Sequence, residues 1–402
     1  MMGQYGGSAF LLIYILCVVF LAIPAIASEW ALGRELRMGP LQIYRKLHGS
    51  RLGNFFGIIL FVTVLVTDSY YVMVIGNVAQ SAYFSAFIGF SEESIPEFTN
   101  MINSTNWKLL FGILILGSSL FVLRRGVIKG IERVSGVFIP VFVIVIIFLV
   151  GYTLTLDGAI QNLLVFLKPD FSLIGPKELY AAIGQAFFSV GLGGTFFIIY
   201  GSYMKSKESL LGNAIITGFA DTGAALLAGL FIVPALLVFG LEMDQGPNLL
   251  FSTLPHLFSV IPYGRLIGTL FLSILILVAF LSHLASMEYM ISTITDLKGI
   301  RLSRNKIISI VGVVLGLLMI PSAIYPSLIG VLDLIFGSGM QVFGSGLAIV
   351  TICMLVGKVT MLKQIFGKNP KSWHHLYFFW TAYVIPLVLG IILISYIISL
   401  FY

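Results

Sequence analysis

Charged residues are scarce in this sequence. Of its 402 residues only 10% are Asp, Glu, Lys or Arg, whereas 58% are hydrophobic, and the mean hydropathy is +1.04. This composition excludes a soluble globular domain and predicts a polytopic membrane protein. Cysteine is almost absent as well. Cys17 and Cys353 both lie in apolar runs, which argues against a disulfide framework and against a cysteine metal site.

The beginning of the chain lacks basic residues. None occurs in residues 1–7, and the apolar run that follows is too long for a cleavable signal peptide. A membrane-spanning helix needs about 20 mostly apolar residues, and the sequence contains ten such segments. They lie near residues 8–30, 53–89, 107–123, 135–156, 179–203, 211–240, 262–295, 305–324, 328–357 and 372–402.

Most of the 23 basic residues lie in alternate loops, and the positive-inside rule places those loops in the cytoplasm. The net charge of +6 therefore reflects membrane topology rather than nucleic-acid binding. With ten spans, this orientation predicts that both termini lie outside. Either the chain has an unusual N-out topology or, as we expect, a helix that would precede the first span is missing from it.

Glycine interrupts the fifth apolar segment, at positions 184, 191, 193 and 194. Each glycine costs a helix interior about 1 kcal/mol. Non-helical backbone at membrane depth is tolerated only where it is buried in protein or lines a cavity. Secondary transporters build their midplane binding sites from discontinuous helices of this kind. The segment therefore predicts a transporter.

Several short motifs follow one another in a characteristic order. They are GGSAF at 6–10, IP at 23–24, SEWALGR at 28–34, RGVIKGIER at 125–133, KPDF at 168–171, GQAFFS at 184–189, DT at 221–222 and AG at 228–229. In this order they resemble the neurotransmitter:sodium symporter family, in the eleven-helix form typical of prokaryotes. No segment resembles the first helix of that family.

The resemblance implies an all-α polytopic fold of ten transmembrane helices, a five-plus-five inverted-repeat transporter that lacks its first helix. Residues 1–402 would form one transmembrane domain. Within it, 8–156 would be an incomplete first repeat, 179–357 the second repeat and 372–402 an extra C-terminal helix.

Asp221 is the strongest candidate among the acids in apolar segments, because charged groups inside a membrane are costly and usually functional. The resemblance implies that Asp221 and the hydroxyl of Ser189 bind a first sodium ion. A hard cation prefers such oxygen ligands. The alternative is a carboxylate that pairs with a basic residue of another helix.

An anion lies beside this sodium in chloride-dependent relatives, and the resemblance matches Tyr14, Gln185 and Ser189 to residues of that anion site. Chloride-independent relatives place a carboxylate one helical turn beyond the sodium ligand, where this sequence has Ala225. Because Asp221 already contributes a negative charge, dependence on chloride stays open.

The resemblance places Tyr71 and Thr67 in the substrate pocket. Tyr71 would donate a hydrogen bond to the substrate carboxylate, and Thr67 lies one helical turn earlier on a similar face. Phe188 resembles the aromatic lid over the substrate, with a packing phenylalanine as the alternative.

Gly191, Gly194 and Met287 would shape the subsite for the substrate side chain. Relatives have an aromatic residue at the position of Gly194, so glycine predicts extra volume there. This favours a large apolar or aromatic amino acid as substrate.

Ala279, Ser282 and His283 align with a second sodium site, whose last two positions normally carry hydroxyls. His283 departs from that pattern. It could bind protons, since histidine titrates near physiological pH, it could be a hydrogen-bonded core residue, or the alignment could be shifted by one residue. The sequence assigns no role to Glu288.

Asp333 resembles the aspartate of an outer gate, whose arginine partner belongs to the first helix of the family. Because that helix has no counterpart here, we expect Asp333 to be unpaired or hydrated. Asp68 is a further acid in an apolar segment. Glu29 lies near the cytoplasmic end of its span and is expected to be structural.

The sequence therefore predicts sodium-coupled symport of an amino acid across the plasma membrane of a prokaryote by alternating access. Its partners would be Na⁺, an apolar or aromatic amino acid and the lipid bilayer, without organic cofactor or nucleic acid. One alternative is a proton-coupled amino-acid transporter, and another is a non-transporting or truncated relative that acts as a membrane scaffold or sensor. An enzyme is disfavoured because no metal cluster or catalytic base is evident.

Overall fold

The computed structural model describes residues 7–243, 246–297, 302–367 and 371–399, and these form an almost entirely helical protein. We number the helices in chain order. They are α1 (Ser8–Leu36), α2 (Pro40–His48), α3 (Ser50–Phe87), α4 (Ile95–Asn103), α5 (Thr105–Arg124), α6 (Gly130–Leu154), α7 (Ala159–Phe166), α8 (Pro176–Val190), α9 (Phe196–Tyr203), α10 (Leu210–Val238), α11 (Leu249–Val260), α12 (Gly264–Thr295), α13 (Arg304–Ile324), α14 (Ser327–Val356), α15 (Lys358–Phe366) and α16 (Ser372–Ser395).

Within the described ranges, nine helices are apolar and long enough to cross a bilayer without interruption. The sequence predicted ten spans, and the difference lies at residues 179–203. There α8 has 15 residues and α9 has 8, so neither reaches the spanning length of about 20 residues. The glycine-rich break predicted from the sequence separates them. The division into two repeats stays a prediction, and residues 400–402 of the expected C-terminal helix lie outside the described residues.

Helix α3 is the longest element. Its 38 residues would extend about 57 Å at 1.5 Å per residue, well beyond the hydrocarbon thickness of a bilayer. It packs along α12, α5 and α2. Because Thr67, Asp68 and Tyr71 lie near its middle, this packing fixes three candidate residues at once.

Helix α9 packs closely on α1 through small residues. A Cβ atom at Gly33 would collide with the carbonyl oxygen of Ile198, and one at Gly201 would crowd the backbone of Trp30. Small residues of this kind let helix backbones approach each other in membrane proteins. The close approach holds the broken segment against the first helix of the chain.

The apolar interior consists of three clusters. The first joins α1, α8, α9, α14 and α16 and contains the break. The second joins α3, α5, α12 and α13, and the third lies between α3, α4, α6, α10, α11 and α12. The candidate residues on α8 and those on α12 are therefore held by different parts of the core.

Candidate functional site

The break between α8 and α9 is made by left-handed backbone. Gly191 has φ 73° and Gly194 has φ 66°. These values are readily adopted only by glycine. Because the helix ends here, the carbonyl groups of Phe187 and Phe188 accept hydrogen bonds from the N–H groups of Leu192 and Gly191, which cap α8. The first N–H groups of α9 have no partners within a helix and are available to a side chain or to a ligand.

Glu29 of α1 binds the α9 side of the break. Its Oε1 accepts hydrogen bonds from the backbone N–H groups of Gly194, at 3.0 Å, and of Gly193, at 3.3 Å. The side chain is completely buried. A carboxylate is favourable at the N-terminal end of a helix, where free N–H groups carry partial positive charge. Glu29 thus contacts the break itself, and its structural role stays a prediction.

Gly194 lies in a tightly packed environment. Its carbonyl oxygen accepts a hydrogen bond from Tyr44 Oη at 3.1 Å, and a Cβ atom here would collide with the carbonyl oxygen of Gly344. Glycine at this position therefore allows two backbones to meet rather than enlarging a subsite. Around Gly191, by contrast, a Cβ atom would meet no atom of the described residues within 4 Å. The free volume predicted from the sequence lies at Gly191.

Ser189 and Asp221 are brought together as predicted for a first sodium site. Ser189 Oγ donates a hydrogen bond to Asp221 Oδ2 at 2.6 Å, which joins the end of α8 to α10. Asp221 is half-buried, and no basic side chain among the described residues forms an ion pair with it. The hydroxyl of Tyr14 lies close to Ser189, to the Asp221 carboxylate and to Thr222.

This group of oxygens has the chemistry that a sodium ion needs. A carboxylate and neutral hydroxyls are hard ligands, and the carboxylate compensates the charge of a buried cation. Tyr14 is buried, and its hydroxyl makes no regular hydrogen bond to a described residue. Gln185, the remaining residue matched to the anion site, is half-buried on α8, one turn before Ser189.

The residues predicted to bind substrate differ in how far they are exposed. Phe188 is 45% exposed, and half-buried Tyr71 lies beside the exposed Ser282. The hydroxyl of Thr67 is buried near that of Tyr70 and makes no regular hydrogen bond within the described chain. These residues have polar groups or surface to offer to a ligand.

Met287 lies in the second core cluster, not beside open space. Its side chain is completely buried, and its Sδ is 3.2 Å from Ser119 Oγ on α5. The same serine hydroxyl contacts His283. The position of Met287 favours a supporting contact between helices over direct contact with a substrate.

His283 is the residue whose role the sequence left open. Its Nδ1 is 2.8 Å from Asp68 Oδ1 and its Nε2 is 3.0 Å from Ser119 Oγ. Both His283 and Asp68 are completely buried, whereas Ala279 is half-buried and Ser282 exposed. The second sodium residues therefore do not converge: His283 points into the core, away from the exposed side of α12.

The remaining two intramembrane acids have partners that sequence reasoning missed. Tyr70 Oη donates a hydrogen bond to Asp333 Oδ1 at 2.8 Å, so Asp333 is not without a partner, although no described basic residue forms an ion pair with it. Glu288 is buried and accepts two hydrogen bonds from Arg304, at 3.1 and 2.6 Å. Arg304 follows Glu288 by 16 positions across a loop, and no local sequence signal indicates that pair.

Long packed helices, one broken span and a hydroxyl–carboxylate pair beside the break together define a secondary transporter of the discontinuous-helix class. Residues 77–401 match the Sodium:neurotransmitter symporter family. The chain belongs to that family, which confirms the resemblance seen in its motifs.

Individual relatives agree with this assignment. The chain is 27% identical over 410 residues to the uncharacterized sodium-dependent transporter YhdH of Bacillus subtilis, covering 98% of this chain and 90% of that protein. It is 30% identical over 322 residues to an uncharacterized sodium-dependent transporter of Haemophilus influenzae, covering 77% and 70%. It is also similar to the crystal structure of MhsT in complex with L-phenylalanine, with a TM-score of 0.87, 27% identity and coverage of 98% and 92%. The all-α transporter fold and the class of sodium-dependent membrane transporters are thereby confirmed.

Proposed function

We propose that this protein carries an apolar or aromatic amino acid across the plasma membrane together with sodium, by alternating access around the break between α8 and α9. The observation that carries the proposal is the contact of Ser189 with Asp221 beside that break. It brings a negative charge and a hydroxyl together at the end of the broken helix. We infer sodium-coupled transport from the family and the identity of the sodium-binding residues from this contact.

Asp221 and Ser189 would bind the sodium ion. The carboxylate accepts the serine hydroxyl proton, with the two oxygens 2.6 Å apart. A bound cation would take the carboxylate oxygen as ligand, and the serine would turn its oxygen towards the ion. The exchange replaces one hydrogen bond by an ion–carboxylate contact in a half-buried place, where charge interactions are stronger than in water.

Tyr71, Thr67 and Phe188 would bind the amino acid. Tyr71 offers a phenol donor to the carboxylate of the substrate, and the hydroxyl of Thr67 is free of regular hydrogen bonds to described residues. The exposed ring of Phe188 would cover the side chain of the substrate, and the open space next to Gly191 would accommodate that side chain. The complex of the related MhsT with L-phenylalanine supports an aromatic ligand.

Transport would not require chloride. Asp221 lies close to Tyr14 and Ser189, two of the residues matched to an anion site. A carboxylate fixed between them supplies the negative charge that an anion would otherwise supply. A second anion in the same place would be repelled.

A binding screen tests the substrate assignment. Purified protein in nanodiscs is titrated with the twenty standard amino acids in sodium and in choline buffers, with thermal stability as readout. We expect stabilisation by phenylalanine or another large apolar amino acid, in sodium only. Stabilisation that needs low pH in place of sodium would favour the proton-coupled alternative, and no stabilisation by any amino acid would favour the scaffold or sensor.

A further inference from the structure

The contact between Asp68 and His283 is not used by the proposed transport cycle. It joins α3 to α12 at 2.8 Å, and both side chains have no solvent exposure. The other ring nitrogen of His283 reaches Ser119 of α5 at 3.0 Å. Three helices of the second core cluster are thus joined by one imidazole ring.

Both ring nitrogens of His283 are engaged. Nε2 lies 3.0 Å from Ser119 Oγ, whose hydroxyl donates to the carbonyl oxygen of Leu116 at 2.7 Å. Nδ1 lies 2.8 Å from Asp68 Oδ1. With both nitrogens held in these contacts, the ring has no free lone pair to offer to a metal ion.

The second sodium site implied by the resemblance is therefore incomplete in this chain. One of its two hydroxyl positions is filled by Ser282, which is exposed beside Tyr71. The other is His283, which offers nitrogen rather than oxygen and is turned into the core. The residues present do not fit a second hard cation.

We propose that this transporter couples one sodium ion, bound at Ser189 and Asp221, to each substrate molecule. The Asp68–His283–Ser119 contact would take the place of a second ion in holding α3, with its substrate residue Tyr71, against α12. This inference rests on the proposed function. Since the contact consists of side chains, it holds α3 in position at any sodium concentration, and the sodium dependence is that of a single site.

Sodium binding to the purified chain tests the inference directly. Radioactive sodium is bound to protein in scintillation-proximity format, and substrate binding is measured against sodium concentration. We expect about one ion per chain at saturation and a Hill coefficient of about 1, because this coefficient can rise only to the number of interacting sites. Two ions per chain, or a coefficient clearly above 1, would overturn the inference.

The Asp221→Ala variant provides the second arm. With a single site, removing its carboxylate should abolish saturable sodium binding, provided that the variant elutes as a single species from size-exclusion chromatography. If one ion per chain remains bound, a second site exists and the inference is wrong. The proposed function fails in a different way: wild-type protein would then show no saturable sodium binding at all.

Discussion

The two ends of the break between α8 and α9 have opposite surroundings. On the α8 side, Phe188 is 45% exposed and the space next to Gly191 is open. On the α9 side, Gly193 and Gly194 are buried, and Glu29 accepts hydrogen bonds from both of their N–H groups. One interruption of a helix therefore provides a place for a ligand at one end and a fixed anchor at the other.

Two carboxylates of the molecule show the same contrast. Asp221 is half-buried and bonded to one neutral hydroxyl, so a cation can replace its partner. Asp68 is completely buried and bonded to His283, which itself has a second partner. A carboxylate with a replaceable partner is suited to binding, and one with a fixed partner is suited to holding helices together.

The largest effect should come from adding a methyl group on the anchored side of the break. Gly194→Ala places a Cβ atom against the Gly344 carbonyl oxygen and 2.7 Å from Tyr44 Oη. Overpacking costs about 1–3 kcal/mol, and the left-handed backbone adds about 1–2 kcal/mol. We expect a melting temperature far below that of wild type, measured on the purified variant in detergent.

Gly191→Ala is the matched control for that substitution. It has the same left-handed penalty of about 1–2 kcal/mol but meets no atom of the described residues within 4 Å. It should melt below wild type and well above Gly194→Ala. Equal melting temperatures for the two variants would contradict the claim that the backbone is tightly packed at Gly194 and open at Gly191.

Removing the anchor itself should have the next largest effect. Glu29→Ala leaves the N–H groups of Gly193 and Gly194 buried without an acceptor, at a cost of about 1–3 kcal/mol for each group. Glu29→Gln keeps a side-chain oxygen in place and should lose less than half as much stability. Thermal melts of both variants check the order, and a glutamine variant as unstable as the alanine variant would show that the charge, not the acceptor, matters.

The open side should respond in ligand binding rather than in stability. Asp221→Ala should show no sodium-dependent substrate binding over the sodium range that saturates wild type, a loss of at least about tenfold in apparent sodium affinity, or about 1.4 kcal/mol. Asp221→Asn keeps an oxygen ligand and should lie between this variant and wild type. The measurement is substrate binding against sodium, and a wild-type value for the alanine variant would exclude Asp221 as a ligand.

The smallest effect should follow the replacement of chloride. With gluconate in place of chloride, substrate affinity should stay within about twofold of its original value, or about 0.4 kcal/mol, because the Asp221 carboxylate provides the negative charge. A loss of sodium-dependent binding in gluconate that chloride restores would show that an anion is required.

The break and the Ser189–Asp221 contact could be predicted from the sequence because their signals are local or tied to motif order. Four glycines within residues 184–194 of one apolar segment indicate a broken helix. The surroundings of Gly194 could not be predicted, since Tyr44 lies 150 positions away in the chain and Gly344 lies on another helix. The sequence shows only that position 194 is glycine. A glycine can allow close packing of two backbones as well as it can leave space for a substrate.

The partners of the buried acids were beyond sequence reasoning for the same reason. His283 and Asp68 are separated by 215 positions, and only the packing of α3 on α12 brings them together. Tyr70 and Asp333 are separated by 263 positions. The resemblance marks the adjacent Tyr71 as the substrate residue and carries no signal for Tyr70, although an aromatic hydroxyl beside a candidate ligand is itself a candidate hydrogen-bond donor.

Uptake of labelled phenylalanine into proteoliposomes, driven by an inward sodium gradient, tests the central claim most directly. The account predicts accumulation above the external concentration that collapses when the gradient is dissipated, and that is lost in Asp221→Ala but kept without chloride. Accumulation that is unaffected by sodium, or equal in Asp221→Ala and wild type, would contradict the account.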